Sequence, residues 1–189
     1  MNPTDFEKII YTVNDGVALV TLDNPERRNA WGGRMSVEYR WALHHAHTDT
    51  DARVVVVTGG GKDFCVGADS QDLKTIEESG GNYQKTKLEL PPYPEGTPET
   101  FQRNHAYPLS ISTPIIAAVN GACAGVGFLV ASYADFRFGA TNNKIKSSFA
   151  RLGLPAEYGL GWLLPRMMGR ANALQILLDG DRIDGQEAL

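Results

Sequence analysis

Two apolar runs, each followed by a glycine-flanked turn, constrain the fold of this chain more than any other feature. Residues 53–58 are almost entirely valine and precede the turn Gly67-Ala68-Asp69. Residues 115–120 form a second β-rich apolar run and precede the turn Gly125-Val126-Gly127. Short, continuous apolar runs of this kind are typical of strands buried on both faces of a parallel sheet. The two runs therefore predict an α/β fold.

The rest of the chain alternates between β-rich and helical patterns. Residues 8–13 and 17–22 flank an Asp-Gly pair, which predicts a β-hairpin, and a further strand is predicted over residues 135–140. Helices are predicted over residues 34–48, 71–78, 101–111, 126–134, 162–168 and 171–178. Pro165 requires that the helix over residues 162–168 begin at the proline or break there.

The two glycine turns also predict a chemistry. A glycine beside the key residue lets a ligand approach the main chain without meeting a Cβ atom. Two backbone N–H groups presented in this way can converge on one oxygen atom, as an oxyanion hole requires. The turns therefore favour a reaction at a carbonyl group that passes through an enolate.

The composition is that of one domain with an ordinary core, and it argues against several classes of protein. The chain has 189 residues, 42% of them hydrophobic, and its apolar runs are far shorter than the roughly 20 residues that span a membrane. The net charge is -4, which argues against nucleic-acid binding. We expect a reduced, cytoplasmic compartment, since no signal-peptide pattern opens the chain and its two cysteines lack metal-ligand spacing.

Three weaker motifs have simpler explanations than ligand binding. The run Gly59-Gly60-Gly61-Lys62 lacks the Ser or Thr that completes a phosphate loop. The glycines of residues 121–127 do not follow the order of a dinucleotide-binding loop, which leaves such a site a weak alternative. His44 and His47 share a helix face without an obvious carboxylate partner, so a solvated face is favoured over a metal site.

A series of short motifs follows in a distinctive order. They are Asn24-Pro25, Asn29-Ala30, residues 54–59, residues 64–69, residues 114–121, Gly125-Val126-Gly127, Ala134-Asp135, Leu152-Gly153-Leu154, Leu164-Pro165-Arg166 and Gly169-Arg170. This order resembles that of the crotonase, or enoyl-CoA hydratase/isomerase, superfamily. The resemblance covers nearly the whole chain from Val17 to Leu189, and the combination is specific although no single motif is.

The resemblance implies a spiral of repeated ββα units, the ClpP/crotonase-like fold, that binds acyl-CoA thioesters. CoA would be part of the substrate, with no separate cofactor and no metal ion. The resemblance assigns the oxyanion hole to the backbone N–H groups of Ala68 and Val126, beside Gly67 and Gly125. It places CoA along Arg28, Asn29, Ala30, Asp69 and Ser70, where the Arg28 guanidinium could meet a phosphate.

The chain departs from the hydratases of this family at both positions that carry their catalytic acids. These positions hold Leu129 and Phe149, neither of which can transfer a proton. Glu157 matches the loop acid of some enoyl- and dienoyl-CoA isomerases, in which a single base suffices; the alternative is an exposed loop glutamate before a turn. We therefore expect double-bond isomerisation rather than hydration. Thioester hydrolysis, C–C cleavage and a non-catalytic CoA-ester-binding subunit remain the alternatives.

The length of the chain is a second departure from the family pattern. Family members continue with a helical segment that covers the acyl pocket and joins trimers, whereas residues 186–189 stand where a helix should begin. We expect one crotonase-like core domain over residues 1–189, with this segment absent or truncated and an irregular insertion at about residues 80–100. A homotrimer or a dimer of trimers is expected where the segment is present.

Overall fold

The computed structural model describes residues 1–72, 74, 88–103 and 105–188. Its strands, in chain order, are β1 (Ile9–Asn14), β2 (Val17–Leu22), β3 (Val54–Gly59), β4 (Ile115–Val119), β5 (Cys123–Ala124), β6 (Phe136–Gly139) and β7 (Ile145–Lys146). Within the described residues, five of these strands form a sheet in the order β1-β2-β3-β4-β6. β1 and β2 make the predicted antiparallel hairpin, and the other neighbouring strands pair in parallel. The predicted parallel α/β architecture is thus confirmed.

Three α-helices that lie wholly within the described ranges connect and cover these strands. They are α1 (Gly33–Thr48), α2 (Val126–Tyr133) and α3 (Leu160–Asp179). α1 packs against β1, β2 and β3, whereas α2 packs against β4, β5 and α3. No helix in these ranges combines the length and apolarity that crossing a membrane requires.

The central strand β3 is buried on one face only. Val55 and Val57 lie in the core beneath α1, whereas Val54 and Val56 are partly exposed on the opposite face. The prediction that both faces of residues 53–58 are buried is therefore wrong. The physical reason is that α1 packs over one face of the sheet, and no described helix packs on the other face of β3.

The segment before β4 differs from its predicted helix. Residues 101–111 were expected to be helical, but the structure has only two short 3₁₀ helices there, Glu99–Phe101 and Tyr107–Ser110. Pro108 lacks the N–H group that a continuous helix would need, which explains the interruption. Most of the helix predicted over residues 71–78, and residues 80–87 of the predicted insertion, lie outside the described residues.

The last helix begins earlier than the sequence predicts and bends later. α3 starts at Leu160 and continues through Pro165, so the proline neither begins nor breaks it. The break comes at Gly169, whose φ of 78° and ψ of 161° are not helical. A proline in the second turn removes one backbone hydrogen bond, and the carbonyl group that loses it belongs to the exposed Gly161.

Candidate active site

The two glycine turns predicted from the sequence lie in contact. Cys65 pairs with Cys123 across a parallel bridge, and the Ala124 N–H donates to the Cys65 carbonyl at 2.9 Å. This pairing places Cys65 and Cys123 side by side, each shortly before one of the two glycine turns. As a result, a Cβ atom placed on Gly125 would lie only 3.4 Å from the Cα of Gly67.

Both turns need glycine for conformational reasons, and the first turn needs it for steric reasons as well. Gly67 has a φ of 106° and Gly125 a φ of 52°, a region that other residues enter only with strain. A Cβ atom on Gly67 would also lie 3.3 Å from the Ala124 carbonyl oxygen. The backbone conformation and the close approach therefore depend on the same two glycines.

The N–H group of Ala68 points away from Trp31, the residue that pairs with it across an isolated bridge. The Trp31 N–H donates to the Gly67 carbonyl at 2.7 Å, and the Asp69 N–H donates to the Trp31 carbonyl at 3.0 Å. Because adjacent residues of an extended chain direct their N–H groups to opposite sides, the Ala68 N–H faces the other way. It donates no hydrogen bond within the described part of the chain.

The second candidate donor, the N–H group of Val126, is the first of α2. Helix N-termini leave such groups without an intrahelical acceptor and carry partial positive charge. No described residue accepts a hydrogen bond from it. Ala68 and Val126 thus supply two unused donors from turns that touch, and an anionic oxygen is the ligand that such a pair of donors suits.

Two arginine–carboxylate pairs hold the loop of residues 24–30 against the first turn. Arg27 binds the Asp69 carboxylate through two hydrogen bonds of 2.6 and 2.8 Å, and its guanidinium also lies 3.4 Å from the Ser70 hydroxyl. Arg28 binds the Asp63 carboxylate in the same way, at 2.8 and 3.0 Å. The predicted phosphate contact of Arg28 would therefore have to share a guanidinium that already binds a carboxylate.

The same pairs shift the ionisation of both carboxyl groups. The hydrogen bonds from Arg28 hold the pKa of Asp63 below its ordinary value. Burial works to raise the pKa of Asp69, but the hydrogen bonds from Arg27 and from backbone N–H groups outweigh it, and the pKa of Asp69 is lowered. Both side chains are therefore ionised at neutral pH, and the loop is fixed by charge-assisted hydrogen bonds.

Asn29 is a structural residue of this loop, since its side chain is fully buried. Its amide donates to the carbonyl groups of Gly60 and Asp63 at 2.9 and 2.8 Å, and its oxygen accepts the Asn24 N–H at 2.9 Å. Ala30, the next residue, is also buried. Any contact of Asn29 with CoA would therefore have to come from its main chain, and CoA binding at Asn29 and Ala30 stays a prediction.

The structure places Leu129 and Phe149 in the hydrophobic core. Leu129 lies on α2 with 1% of its surface exposed, and Phe149 precedes a 3₁₀ helix with 4% exposed. Neither position provides a proton-transfer group.

Glu157 lies in the loop that leads into α3, and this loop is attached to α2. The Tyr133 hydroxyl, at the last residue of α2, donates to the Tyr158 carbonyl at 2.7 Å. A Cβ atom on Gly159 would meet the same hydroxyl oxygen at 2.6 Å. The helix that begins at Val126 therefore holds the Glu157 loop at its other end. The catalytic role of Glu157 stays a prediction.

A cavity of about 1300 Å³ lies between the first turns of α1, residues 100–109 and the start of α3. Its wall includes Tyr133, Tyr158 and Gly159 but not the neighbouring Glu157. The sequence gives no pattern for the cavity, because its wall combines segments far apart in the chain. Sequence reasoning singled out none of its lining residues, among them Arg40, Phe101, His105 and Trp162.

Two basic side chains of this cavity have perturbed ionisation. Arg40 lies between the rings of Tyr93 and Tyr107, 4.8 and 4.7 Å from their centroids, and burial lowers its pKa. Burial, together with the nearby charge of Arg40, lowers the pKa of His105 to about 4. In the part of the chain that the structure describes, no group of three or more His, Cys, Asp or Glu side chains is arranged to hold a metal ion.

Comparison with known proteins links this geometry to one family. The family model described as "Enoyl-CoA hydratase/isomerase" matches residues 12–189. The chain is 37% identical over 183 residues to a Rhodobacter capsulatus protein named "Probable enoyl-CoA hydratase", covering 97% of this chain and 65% of that protein. It is 32% identical over 185 residues to the Escherichia coli protein named 1,2-epoxyphenylacetyl-CoA isomerase, covering 96% and 66%. The crystal structure of an enoyl-CoA hydratase from Polaromonas superposes with a TM-score of 0.75 at 32% identity, covering 95% and 66%. The chain therefore spans about two thirds of the length of these relatives.

Proposed function

Because the chain belongs to the enoyl-CoA hydratase/isomerase family, we propose that it binds an acyl-CoA thioester and stabilises its enolate between the N–H groups of Ala68 and Val126. The crotonase fold and the family predicted from the sequence are confirmed by the comparisons. The observation that carries the proposal is the contact between Gly67 and Gly125, which brings two unused donors together.

The proposed chemistry follows from where negative charge develops. Removal of the proton next to the thioester carbonyl moves electron density onto the carbonyl oxygen. Two N–H groups fixed in advance stabilise that charge without reorganisation, and the N-terminal dipole of α2 adds to the donor at Val126. Loss of one such donor typically costs about 3 kcal/mol of transition-state stabilisation.

We propose that the reaction is the shift of a double bond, with Glu157 as the single base. Glu157 takes a proton from C2 of a 3-enoyl thioester, the oxyanion hole holds the dienolate, and the same carboxyl group returns the proton at C4. One proton moves, and no water is added. The apolar Leu129 and Phe149 support this reading, because hydration benefits from two proton-transfer groups.

We also propose that the protein associates with copies of itself, as a homotrimer or a dimer of trimers where the helical C-terminal segment is present. Phe136 and Phe138 on β6 are 58% and 65% exposed, and they lie on the sheet face that α1 leaves uncovered. Self-association would remove this apolar surface from water. Light scattering of the purified chain should then give a mass above the 20.6 kDa of one copy.

The proposed reaction is tested by two substrates followed through the absorbance of the conjugated thioester. With 3-hexenoyl-CoA, isomerisation produces a gain of absorbance. With crotonyl-CoA, hydration produces a loss. We expect a gain with the first and no change with the second. A loss with crotonyl-CoA would mean hydration instead, and no change with either would contradict an enoyl-CoA reaction.

A further inference from the structure

Aromatic rings make up much of the cavity wall. Phe101, Tyr133, Tyr158 and Trp162 all line it, and the rings of Phe101 and Trp162 meet edge to face with their centroids 6.1 Å apart. Such rings present both faces and edges to a bound group, and a ring packed against them is stabilised beyond what its buried area alone provides.

His105 is a half-buried polar residue of this wall. Its ring stacks on Tyr158 with the centroids 4.1 Å apart, and it makes no hydrogen bond with any residue in the described ranges. Its lowered pKa keeps it neutral at physiological pH. A neutral imidazole offers one donor and one acceptor, so His105 can bind a hydroxyl, carbonyl or ether oxygen.

Arg40 also lines the cavity, but its guanidinium is already bound by other groups of the protein. Its guanidinium lies between the Tyr93 and Tyr107 rings and donates to the Pro91 carbonyl at 3.3 Å. These contacts fix the charged guanidinium against the two tyrosine rings.

The cavity is within reach of an acyl group held at the oxyanion hole. Gly33 and Val37 of α1 line it, and Trp31, two residues before α1, pairs with Ala68. Tyr133 lies seven residues after Val126 on α2, about 10 Å along the helix axis. An acyl group whose carbonyl oxygen is bound by the two donors therefore extends into a space bounded by α1 and by the end of α2.

We propose that the cavity takes an acyl group that contains a ring bearing an oxygen atom, and that His105 hydrogen-bonds this oxygen. The proposal rests on the proposed function, since the acyl group is delivered as its CoA thioester. A purely aliphatic acyl group would fill the cavity and leave the imidazole without water or a partner, which is unfavourable for a buried polar group. His105 thereby selects for the oxygenated ring.

Binding of five thioesters to the chain tests this assignment. They are octanoyl-CoA, phenylacetyl-CoA, which has the same number of acyl carbons, and the three hydroxyphenylacetyl-CoA isomers, each titrated by calorimetry. We expect phenylacetyl-CoA to bind about five-fold more tightly than octanoyl-CoA. At least one hydroxy isomer should bind a further five-fold more tightly, as one hydrogen bond provides.

Three variants assign the preference for oxygen to His105. His105→Phe keeps a ring but should remove the preference, and His105→Gln, which can still hydrogen-bond, should retain part of it. His47→Phe, near the far end of α1 and outside the cavity, should leave it unchanged. If His105→Phe fails to fold, ¹⁵N spectra of the histidine imidazoles in the unchanged protein decide instead, because one imidazole should shift with the hydroxy isomer and not with phenylacetyl-CoA.

The outcomes separate this inference from the proposed function. Equal affinity for all five thioesters, or a preference for oxygen that survives in His105→Phe, overturns the inference and leaves acyl-CoA binding intact. Failure of every thioester to bind overturns the proposed function, and the inference with it.

Discussion

A Cβ atom on Gly125 would lie 3.4 Å from the Cα of Gly67, so the turns that follow the bridged residues Cys65 and Cys123 lie against each other. The backbone N–H groups of Ala68 and Val126, one in each turn, donate no hydrogen bond within the described residues. Both turns require glycine because of their positive φ values. The chemistry proposed for the site therefore depends on backbone geometry. The sequence specifies this geometry through the two glycines, which have no side chains.

Replacing Gly67 with alanine should disturb the site beyond the usual cost of a positive φ. Gly67→Ala combines backbone strain at a φ of 106° with a 3.3 Å approach of the new Cβ atom to the Ala124 carbonyl oxygen, so we expect a loss of about 2 kcal/mol in unfolding free energy and of most activity. Gly96 is the matched control, because its φ is 79° and nothing lies within 4 Å of an added Cβ atom. Gly96→Ala should cost about 1 kcal/mol and leave turnover unchanged, as denaturant unfolding and 3-hexenoyl-CoA assays can measure. Equal effects of the two substitutions would contradict the role of the contact.

The proposed base is tested by removing the charge of Glu157 while keeping its shape. Glu157→Gln should reduce kcat with 3-hexenoyl-CoA by at least about 100-fold, the range of general acid–base catalysis, with little change in thioester affinity. Glu95→Gln, which alters an exposed carboxylate in a turn, is the control and should retain full turnover. Retained turnover in Glu157→Gln would assign proton transfer to another group.

The hydrogen bond from Tyr133 to the Tyr158 carbonyl should position the Glu157 loop. Tyr133→Phe removes only the hydroxyl, so we expect about 1 kcal/mol of lost stability and a several-fold lower kcat with an altered pH profile. Tyr11→Phe is the matched control, because the Tyr11 hydroxyl is buried without a hydrogen-bond partner in the described residues. That change should be neutral or slightly stabilising. An unchanged kcat in Tyr133→Phe would show that the loop is held by other contacts.

Much of this site could be predicted from the sequence because its signals are local. The strand runs, the turns and the missing acids at Leu129 and Phe149 can each be recognised within a few residues. The cavity could not be predicted in this way. His105 falls in a segment whose helical pattern is interrupted at Pro108, and Arg40 is a buried charge held by rings more than 50 residues away in the chain. Such long-range packing leaves no periodic pattern in the sequence.

The contacts of the loop of residues 24–30 could not be predicted from the sequence either. For Arg28 the sequence suggests a contact with a CoA phosphate, and the structure gives it a carboxylate partner 35 residues later in the chain. Asn29 matches a family motif, yet its buried side chain binds backbone groups. The assignment of this loop to the CoA site stays a prediction, and only the fold shows which of its side chains face inward.

The Arg27–Asp69 pair should make stability depend on pH in the acid range. The pKa of Asp69 is lowered in the folded state, so its contribution is fully present above the unfolded pKa of about 3.9 and is lost as the pH falls through the folded value. Asp69→Asn should therefore reduce the unfolding free energy by about 1 kcal/mol at pH 6, and the difference from wild type should shrink towards pH 2. Asp51→Asn, at an exposed position, should show no such trend. A difference for Asp69→Asn that is constant from pH 6 to pH 2 would contradict the lowered pKa.

The most direct measurement removes one oxyanion donor from the backbone. Val126→Pro deletes the N–H group at the first position of α2, where a helix tolerates proline, and Val126→Ala removes the same side chain but keeps the donor. Turnover of 3-hexenoyl-CoA by the two variants, with circular dichroism to confirm that both are folded, isolates the contribution of the donor. We predict that kcat of Val126→Pro is about 100- to 1000-fold below that of Val126→Ala. Equal kcat values in two folded variants would contradict enolate stabilisation at this site.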